Sequence, residues 1–513
     1  MTVATLAIST LNSKPVPVAD VPVVPLDDFR ELLKEQLVPN SAALIALFGV
    51  PAGPQTLRVY GLTSVGATSE IHLLATDVGD RYPSFTQHIT QAHWFERELA
   101  EQWGVVPEDH PWLKPIRFHA SYRDGQDAWG RAVGEKILPG VQPDGTDYFK
   151  IRGDEIHEVA VGPVHAGVIE PGHFRFQCHG EHVFTLEIEL GFQHRGIERR
   201  LLGGPDKRTM HYMETLSGDT SIGHALAYCQ LLEGLADTEA PLRAQAIRAM
   251  ALELERLANH TGDLGALAGD IGFLPTFSFC GRIRGDFLNA TGLICGSRFG
   301  RGLVRPGGVA FDIDDPMSEE LQKRLAAAHR DVTGATNLLW SSSSVMARLE
   351  ETGTVSLETA RALGILGMAG RASGNDRDVR RDAPAGYYRF AQIPVSTWHT
   401  GDAFARAYVR HLEVQRSCEF LLENLPQIPA DKVRRELGPL QPDVIGVSLV
   451  EAWRGAACHV ALTDSDGAFA HYKVIDPSFH NWIGLAMSLR DQQISDFPLC
   501  NKSFNLSYCG HDL

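Results

Sequence analysis

The sequence predicts an α+β protein: a small N-terminal α/β unit, then a mostly α-helical body that carries a small antiparallel sheet. Three observations lead there. Apolar residues alternate or run together in Ala43–Phe48, Leu57–Gly61 and Glu70–Thr76, as strands require, and an amphipathic stretch follows at 92–103. Residues 126–155 are dense in Gly, Asp and Pro and read as a linker. Beyond them, short alternating segments give way to long ones with helical spacing.

The chain has 513 residues, 47 Lys+Arg against 63 Asp+Glu and a formal net charge of −16. That length suits two to four domains, here divided as 26–125, a linker at 126–155, and 156–513. Hydrophobic residues make up 44% and charged residues 21%, ordinary globular usage that excludes a largely disordered chain. The acidic balance argues against nucleic acid as partner. No uninterrupted apolar stretch of about 20 residues marks a membrane span. The first 25 residues lack the cationic start and apolar centre of a secretory signal, so a cytoplasmic location is expected. With Pro at 15, 17, 22 and 25 they read as a flexible leader.

The elements follow in order. Asp27 or Asp28 caps a helix running to about Leu37. The helix at 92–103 ends where Gly104 supplies a C-terminal cap. Ile156–Val161, Phe174–Cys178 and Val183–Leu190 alternate as antiparallel strands do. From about Asp206 to Leu422 the spacing is mostly helical, with long segments at His224–Leu235, Pro241–Ala268, Gly281–Gly296 and Ser318–Ser341. The last hundred residues mix strands, Gly446–Trp453 and Ala457–Leu462, with a helix around Trp482–Arg490.

Eight cysteines, at 178, 229, 280, 295, 418, 458, 500 and 509, are scattered, and none forms a C-x-x-C pair. A zinc ribbon or cysteine-held cluster needs closely spaced ligands, so these read as buried thiols in a reducing compartment. Two segments carry more chemistry. Gly162-Pro163-Val164-His165 leads to Glu170-Pro171-Gly172-His173-Phe174, a tight loop bearing a carboxylate and two imidazoles that can move protons. Gly191-Phe192-Gln193-His194-Arg195-Gly196-Ile197-Glu198 places a His-Arg-Gly turn before a Glu, fit for a partner contact or an internal ion pair.

Together these two segments resemble the large subunit of membrane-bound energy-converting [NiFe] hydrogenases and its relative, the quinone-site large subunit of respiratory complex I. Glu253 and Arg256 resemble the family's Glu-x-x-Arg helix. Arg305-Pro306-Gly307-Gly308 resembles its Pro-Gly-Gly turn, and Arg371-Ala372-Ser373-Gly374 with Asp378-Val379-Arg380 resembles its Arg-x-Ser-Gly and Asp-x-Arg signature. Pro394, Gly401-Asp402 and Arg406 fit the segment that follows. Further upstream, Tyr82-Pro83-Ser84, His93-Trp94-Phe95-Glu96-Arg97-Glu98 and His110-Pro111-Trp112-Leu113 resemble the small hydrophilic complex I subunit. The chain is thus similar to a fusion of the two, as in large subunits of the formate-hydrogenlyase type.

An active [NiFe] centre of that family uses four thiolates from two C-x-x-C pairs, because soft ligands suit the metals. Here the first pair reads as Ser217 and Thr220, with His224 and Tyr228 keeping the register. The second, aligned on Phe497-Pro498, reads as Leu499 and Lys502. The resemblance therefore implies no metal centre, and the chain ends just past this segment with no maturation tail expected. It also implies a pocket wall in which Glu170, His173, Asp219 and Lys502 handle protons, while Ser217, Thr220, His224 and Arg371 line a ligand space. Where complex I carries a quinone-facing Tyr, this chain has Gly218. What the resemblance implies for function is a subunit of an oxidoreductase complex that couples electron transfer to proton or ion translocation. No cofactor is bound directly, a [4Fe–4S] cluster sits in an iron–sulfur partner, antiporter-like membrane subunits complete the assembly, and attachment is peripheral, on the inner face of the membrane. Two further readings are a quinone-binding oxidoreductase subunit of the NADH:quinone type and a non-catalytic scaffold.

Overall fold

The computed structural model describes residues 7–37, 42–131, 148–165 and 169–513. The N-terminal unit is a four-stranded antiparallel sheet in the order β1-β5-β4-β3, made of β1 (Ile8–Leu11), β3 (Ala42–Gly53), β4 (Thr56–Val65) and β5 (Glu70–Val78). Helix α1 (Leu26–Leu37) packs Phe29, Leu32 and Leu33 onto one face of it. Helix α2 (His93–Trp103) closes at Gly104, whose φ of 66° is the left-handed cap the sequence indicates.

Helix α2 is not a surface helix with a wet polar side: ten of its 11 residues are buried. Its polar groups are satisfied internally, as burial demands. The Glu96 carboxylate accepts from the Phe85 and Thr86 amides at 2.9 Å each, and the Glu101 carboxylate accepts from the Arg117 and Phe118 amides at 2.8 and 2.7 Å. Glu98 binds Arg117 and, at 2.5 Å, Lys473 from the far end of the chain; Lys473 also holds Glu198 at 2.8 Å. The two ends of the sequence are thus joined through one buried ionic node.

The leader is a second join, which corrects the reading of it as flexible. From residue 7 onward it is built in: β1 edges the N-terminal sheet, and β2 (Val16–Pro17) edges the C-terminal one. Between them Asn12 accepts from the Leu449 amide at 2.9 Å and donates to the carbonyls of Ala383 and Leu449 at 2.7 and 2.9 Å. The prolines suit this role, since Pro17 occupies an edge strand where no amide is needed.

Most of the expected linker, residues 132–147, lies outside the described residues. After it, β6 (Ile156–Val161), β7 (His173–His179) and β8 (His182–Glu189) form a three-stranded antiparallel sheet at the positions the alternation indicated. The helical body comprises α3 (Ser221–Leu235), α4 (Leu242–Asp270), α5 (Leu274–Cys295), α6 (Asp315–Trp340) and α7 (Ala403–Asn424). Helix α5 begins seven residues before its sequence reading, because Pro275 occupies the first turn where no amide is needed. The C-terminal sheet adds β9 (Val444–Ala452), β10 (Gly455–Thr463) and β11 (Phe469–Ile475) in the order β11-β10-β9-β2, followed by α8 (Pro477–Ser488), α9 (Phe497–Phe504) and α10 (Tyr508–Asp512). One apolar core runs from the N-terminal sheet through Phe174 to Trp482; a second fills the helical body.

Candidate functional site

The site gathers where the start of α3, the loop before β7, the β9–β10 turn and the C-terminal segment meet. The Ser217 and Ser507 hydroxyls hydrogen-bond each other at 2.8 Å, and both side chains are fully buried. Ser507 also caps α10, accepting from the Gly510 amide at 3.0 Å. Glu170, on the loop, accepts from the Cys509 amide at 3.2 Å. Burial and the Glu170 carboxylate push the Cys509 thiol up to about 11, so it stays protonated at neutral pH.

Asp219 meets Arg454, not a lysine. The guanidinium of Arg454 forks onto both Asp219 oxygens at 2.6 and 2.8 Å and lies 3.9 Å above the Trp453 ring. Burial would raise the Asp219 carboxyl; the fork outweighs it and holds the group below the ordinary range. Arg195 clamps the two sides of the site from below, donating to the carbonyls of Thr215, Leu216 and Cys509 at 2.8 to 3.0 Å. The His-Arg-Gly turn is therefore an internal brace.

The predicted residues divide. Ser217, Thr220, Asp219 and Glu170 come together around Ser507 and Cys509. His224 stands one layer deeper, its Nε2 on Asp476 at 2.9 Å. Three others do not join. His173 is buried at the head of β7 with its Nδ1 donating to the Gly162 carbonyl at 3.2 Å. Arg371 lies inside the protein on Glu413 and Glu451, each at 2.7 Å. Lys502 makes no ion pair among the described residues; the carboxyl its charge acts on is Asp270.

The last displacement has a register cause. The segment that faces Ser217 is not 497–502 but Asn505-Leu506-Ser507-Tyr508-Cys509-Gly510, in which Ser507 and Gly510 stand three residues apart, the spacing of a C-x-x-C pair. Leu499 is apolar core. At Gly510 a side chain has no room: a Cβ would stand 2.7 Å from the Asp476 carboxyl. The sequence reading missed Arg454, Ser507 and Asp476. A signal for the first was present, a Trp-Arg-Gly triplet at a hairpin turn, which aims a cation out of a sheet end.

Hydroxyls, one protonated thiol and carboxylates that already have partners do not fit the soft ligand set of a Ni–Fe centre. Across the described residues, no group of three or more His, Cys, Asp or Glu is placed to hold a metal ion.

Comparison with known proteins agrees with this architecture. Residues 22–126 match the family model of the respiratory-chain NADH dehydrogenase 30 kDa subunit, and 270–443 match that of the 49 kDa subunit. Formate hydrogenlyase subunit 5 of Escherichia coli K12 is 27% identical over 439 residues, covering 83% of this chain and 76% of the relative. Hydrogenase-4 component G of the same organism is 27% identical, with 83% and 75% covered. An NADH-quinone oxidoreductase subunit of Clostridium beijerinckii is 29% identical, with 62% and 87% covered. A chain of the archaeal membrane-bound sulfane sulfur reductase shares the fold at a TM-score of 0.66 and 22% identity, over 70% of this chain and 99% of that one. The protein is a homologue of the hydrophilic subunits of formate hydrogenlyase, hydrogenase-4 and NADH-quinone oxidoreductase, with its 30 kDa-type and 49 kDa-type regions in one polypeptide.

Proposed function

We propose that this chain is the metal-free hydrophilic core subunit of a membrane-bound oxidoreductase complex, coupling electron transfer in its partners to proton or ion translocation. The observation that carries the reading is the Ser217–Ser507 hydroxyl pair at the family's metal position, flanked by Glu170 and by the Asp219–Arg454 fork. Hydroxyls and carboxyls in contact hold and pass protons; they do not carry electrons. Electrons then run through an iron–sulfur partner holding a [4Fe–4S] cluster, and the complex is anchored by antiporter-like membrane subunits. Attachment is peripheral, at the cytoplasmic face; no helix among the described residues is long and apolar enough to cross a membrane. The quinone-binding alternative has less support, because the two serine hydroxyls are engaged with each other.

The test is extraction of the tagged protein from membranes in mild detergent. The expected result is co-purification with an iron–sulfur protein and polytopic subunits, and a Ni content far below one per chain. A free monomer, or one Ni per chain, overturns the reading.

A further inference from the structure

Behind the serines lie four buried polar groups that the site itself does not use. His224 Nε2 meets Asp476 at 2.9 Å, His224 Nδ1 meets His459 Nε2 at 3.1 Å, and His459 Nδ1 meets the Tyr472 hydroxyl at 2.8 Å. All four are at most 1% exposed, and they come from α3, β10, β11 and the residue that caps α8. The file is unbroken, and its members are held by different elements, so none can drift without the sheet moving.

The atoms fix a direction. Burial alone would raise the Asp476 carboxyl, but its hydrogen bond from His224 and the charge of Arg454 hold it below the ordinary range, so it is an acceptor. His224 therefore donates from Nε2, and where the ring holds that one proton its Nδ1 accepts from His459 Nε2–H. His459, kept neutral by burial, then has a bare Nδ1 that accepts from the phenol of Tyr472. Every donor points the same way, toward Asp476.

Both ends lead on. Asp476 and Ser507 flank the bare Cα of Gly510, whose missing side chain leaves the carboxylate against the hydroxyl cluster. Ser478 ties the two, its amide donating to Asp476 at 2.8 Å and its hydroxyl accepting from the Ser507 amide at 2.9 Å. At the other end burial, and to a lesser degree nearby Tyr228, raises the Tyr472 phenol, and Thr209 lies near Tyr228. The Thr209 hydroxyl donates at 3.1 Å to Asp206, which is on the surface.

We propose that Asp476, His224, His459 and Tyr472 form a one-proton wire that runs inward from Tyr472 toward the hydroxyl cluster at Ser507. In one passage the Tyr472 proton moves to His459 Nδ1, the His459 Nε2 proton to His224 Nδ1, and the His224 Nε2 proton to Asp476. A proton returned to Tyr472 from the Tyr228 side restores the phenol. The net change is one proton moved inward, with both imidazoles left in the opposite tautomer. A second proton cannot follow until the rings return, so the wire moves one proton per cycle. The phenol-to-phenol step has no direct hydrogen bond and is the gate.

This inference deepens the proton-handling reading given above and rests on it for its purpose, but its geometry is tested separately. In the purified complex, 15N-histidine solid-state NMR is expected to show His224 and His459, assigned by loss of their signals in His224→Gln and His459→Gln, both protonated at Nε2 and bare at Nδ1 at pH 7. An imidazolium or an Nδ1–H at either position overturns the wire. In liposomes, the isosteric Tyr472→Phe complex, checked for assembly and melting temperature, is expected to lose at least tenfold in proton uptake. Uptake equal to wild type overturns the wire while leaving the subunit reading intact. If the wild-type complex itself moves no protons, the subunit reading fails, and the NMR result still decides the wire.

Discussion

Arg371 and Arg454 are both buried guanidiniums held by carboxylates, yet they stand in different regions. Around Arg371 the structure is an ionic lattice. Glu413 takes Arg371 at 2.7 Å, Arg256 at 3.3 Å and His260 at 2.8 Å; Glu253 takes Arg256 at 3.0 Å and Arg380 at 3.2 Å; Arg380 turns back onto Asp378 at 2.6 Å. Arg371, Arg256, Arg380, Glu413, Glu253 and Asp378 there each have two or more opposite partners. Around Arg454 there is one forked ion pair, and then hydroxyls, a thiol and imidazoles. The first region holds charge in place. The second has few fixed charges and many groups that both donate and accept. The family's most legible motifs, Glu253-x-x-Arg256, Arg371-x-Ser-Gly and Asp378-x-Arg380, all converge on the lattice, so they hold the body together and leave the chemistry to the quieter region.

If that division is right, breaking the lattice costs stability first. Glu413→Ala leaves Arg371, Arg256 and His260 short of a buried partner, and removal of one member of such a set costs about 3–5 kcal/mol. Chemical denaturation of the variant is the check. A loss under 1 kcal/mol would mean the lattice is wet or loosely paired.

Glu255 sits at the border of the two regions and sharpens the contrast through pH. It lies on the lattice helix α4 but accepts from the amides of Ile222 and Gly223, at the start of α3, at 2.7 and 3.1 Å. Burial pushes its carboxyl up to about 8, against the two amides and the Arg256 charge, which favour the anion; Asp219 adds to the rise. A raised folded-state value in an acid means the folded protein binds the extra proton. This contribution is therefore full below the unfolded value near pH 4, declines as pH rises, and is gone above about pH 8; in all it is on the order of a few kcal/mol. Between pH 7 and 8 the wild type should lose about 1 kcal/mol, and Glu255→Gln should flatten that slope. Parallel curves would show that Glu255 ionises normally.

On the other side of the border, Gly510→Ala puts a methyl group 2.7 Å from the Asp476 carboxyl and 2.9 Å from Ser507 Oγ. Overpacking of this kind costs about 1–3 kcal/mol. It should also displace the Asp476–His224 contact, which a change in the His224 15N signal would report. An unshifted signal with full stability would show the turn to be slack.

Most strands of the three larger sheets, though not β1, β2 or β11, and most long helices were legible because each has a period that a buried face must obey. Harder to read was anything decided by a distant partner. Helix α2 reads as amphipathic, yet its Glu98 is buried on Lys473, 375 positions away. The leader reads as loose because nothing in residues 7–17 announces that Asn12 will cap a gap beside Leu449. Within the site, Ser217, Thr220 and Asp219 were readable because His224, in the first turn of α3, fixes the register of the turn just before that helix. Glu170 lies on a loop named by its motif. Ser507 was not readable, since serine and glycine at the second pair leave no thiolate spacing to find.

Lys502 is the residue on which the two readings part, and its removal is the smallest effect expected. From the sequence it belongs to the pocket with Glu170 and Asp219. In the structure it occupies the last turn of α9, and Asp219 is taken by Arg454 at 2.6 Å. The carboxyl its charge acts on is Asp270, the last residue of α4, which burial raises and Lys502 lowers. A partly exposed lysine of this kind, with no ion pair among the described residues, contributes little. Lys502→Met should leave the melting curve within about 0.5 kcal/mol of wild type. It should also leave proton uptake by the assembled complex unchanged, where Asp219→Asn, which strips the fork from Arg454, should not. If Lys502→Met abolishes uptake while assembly holds, proton traffic runs past α9, and the region around Arg454 is not where it turns inward.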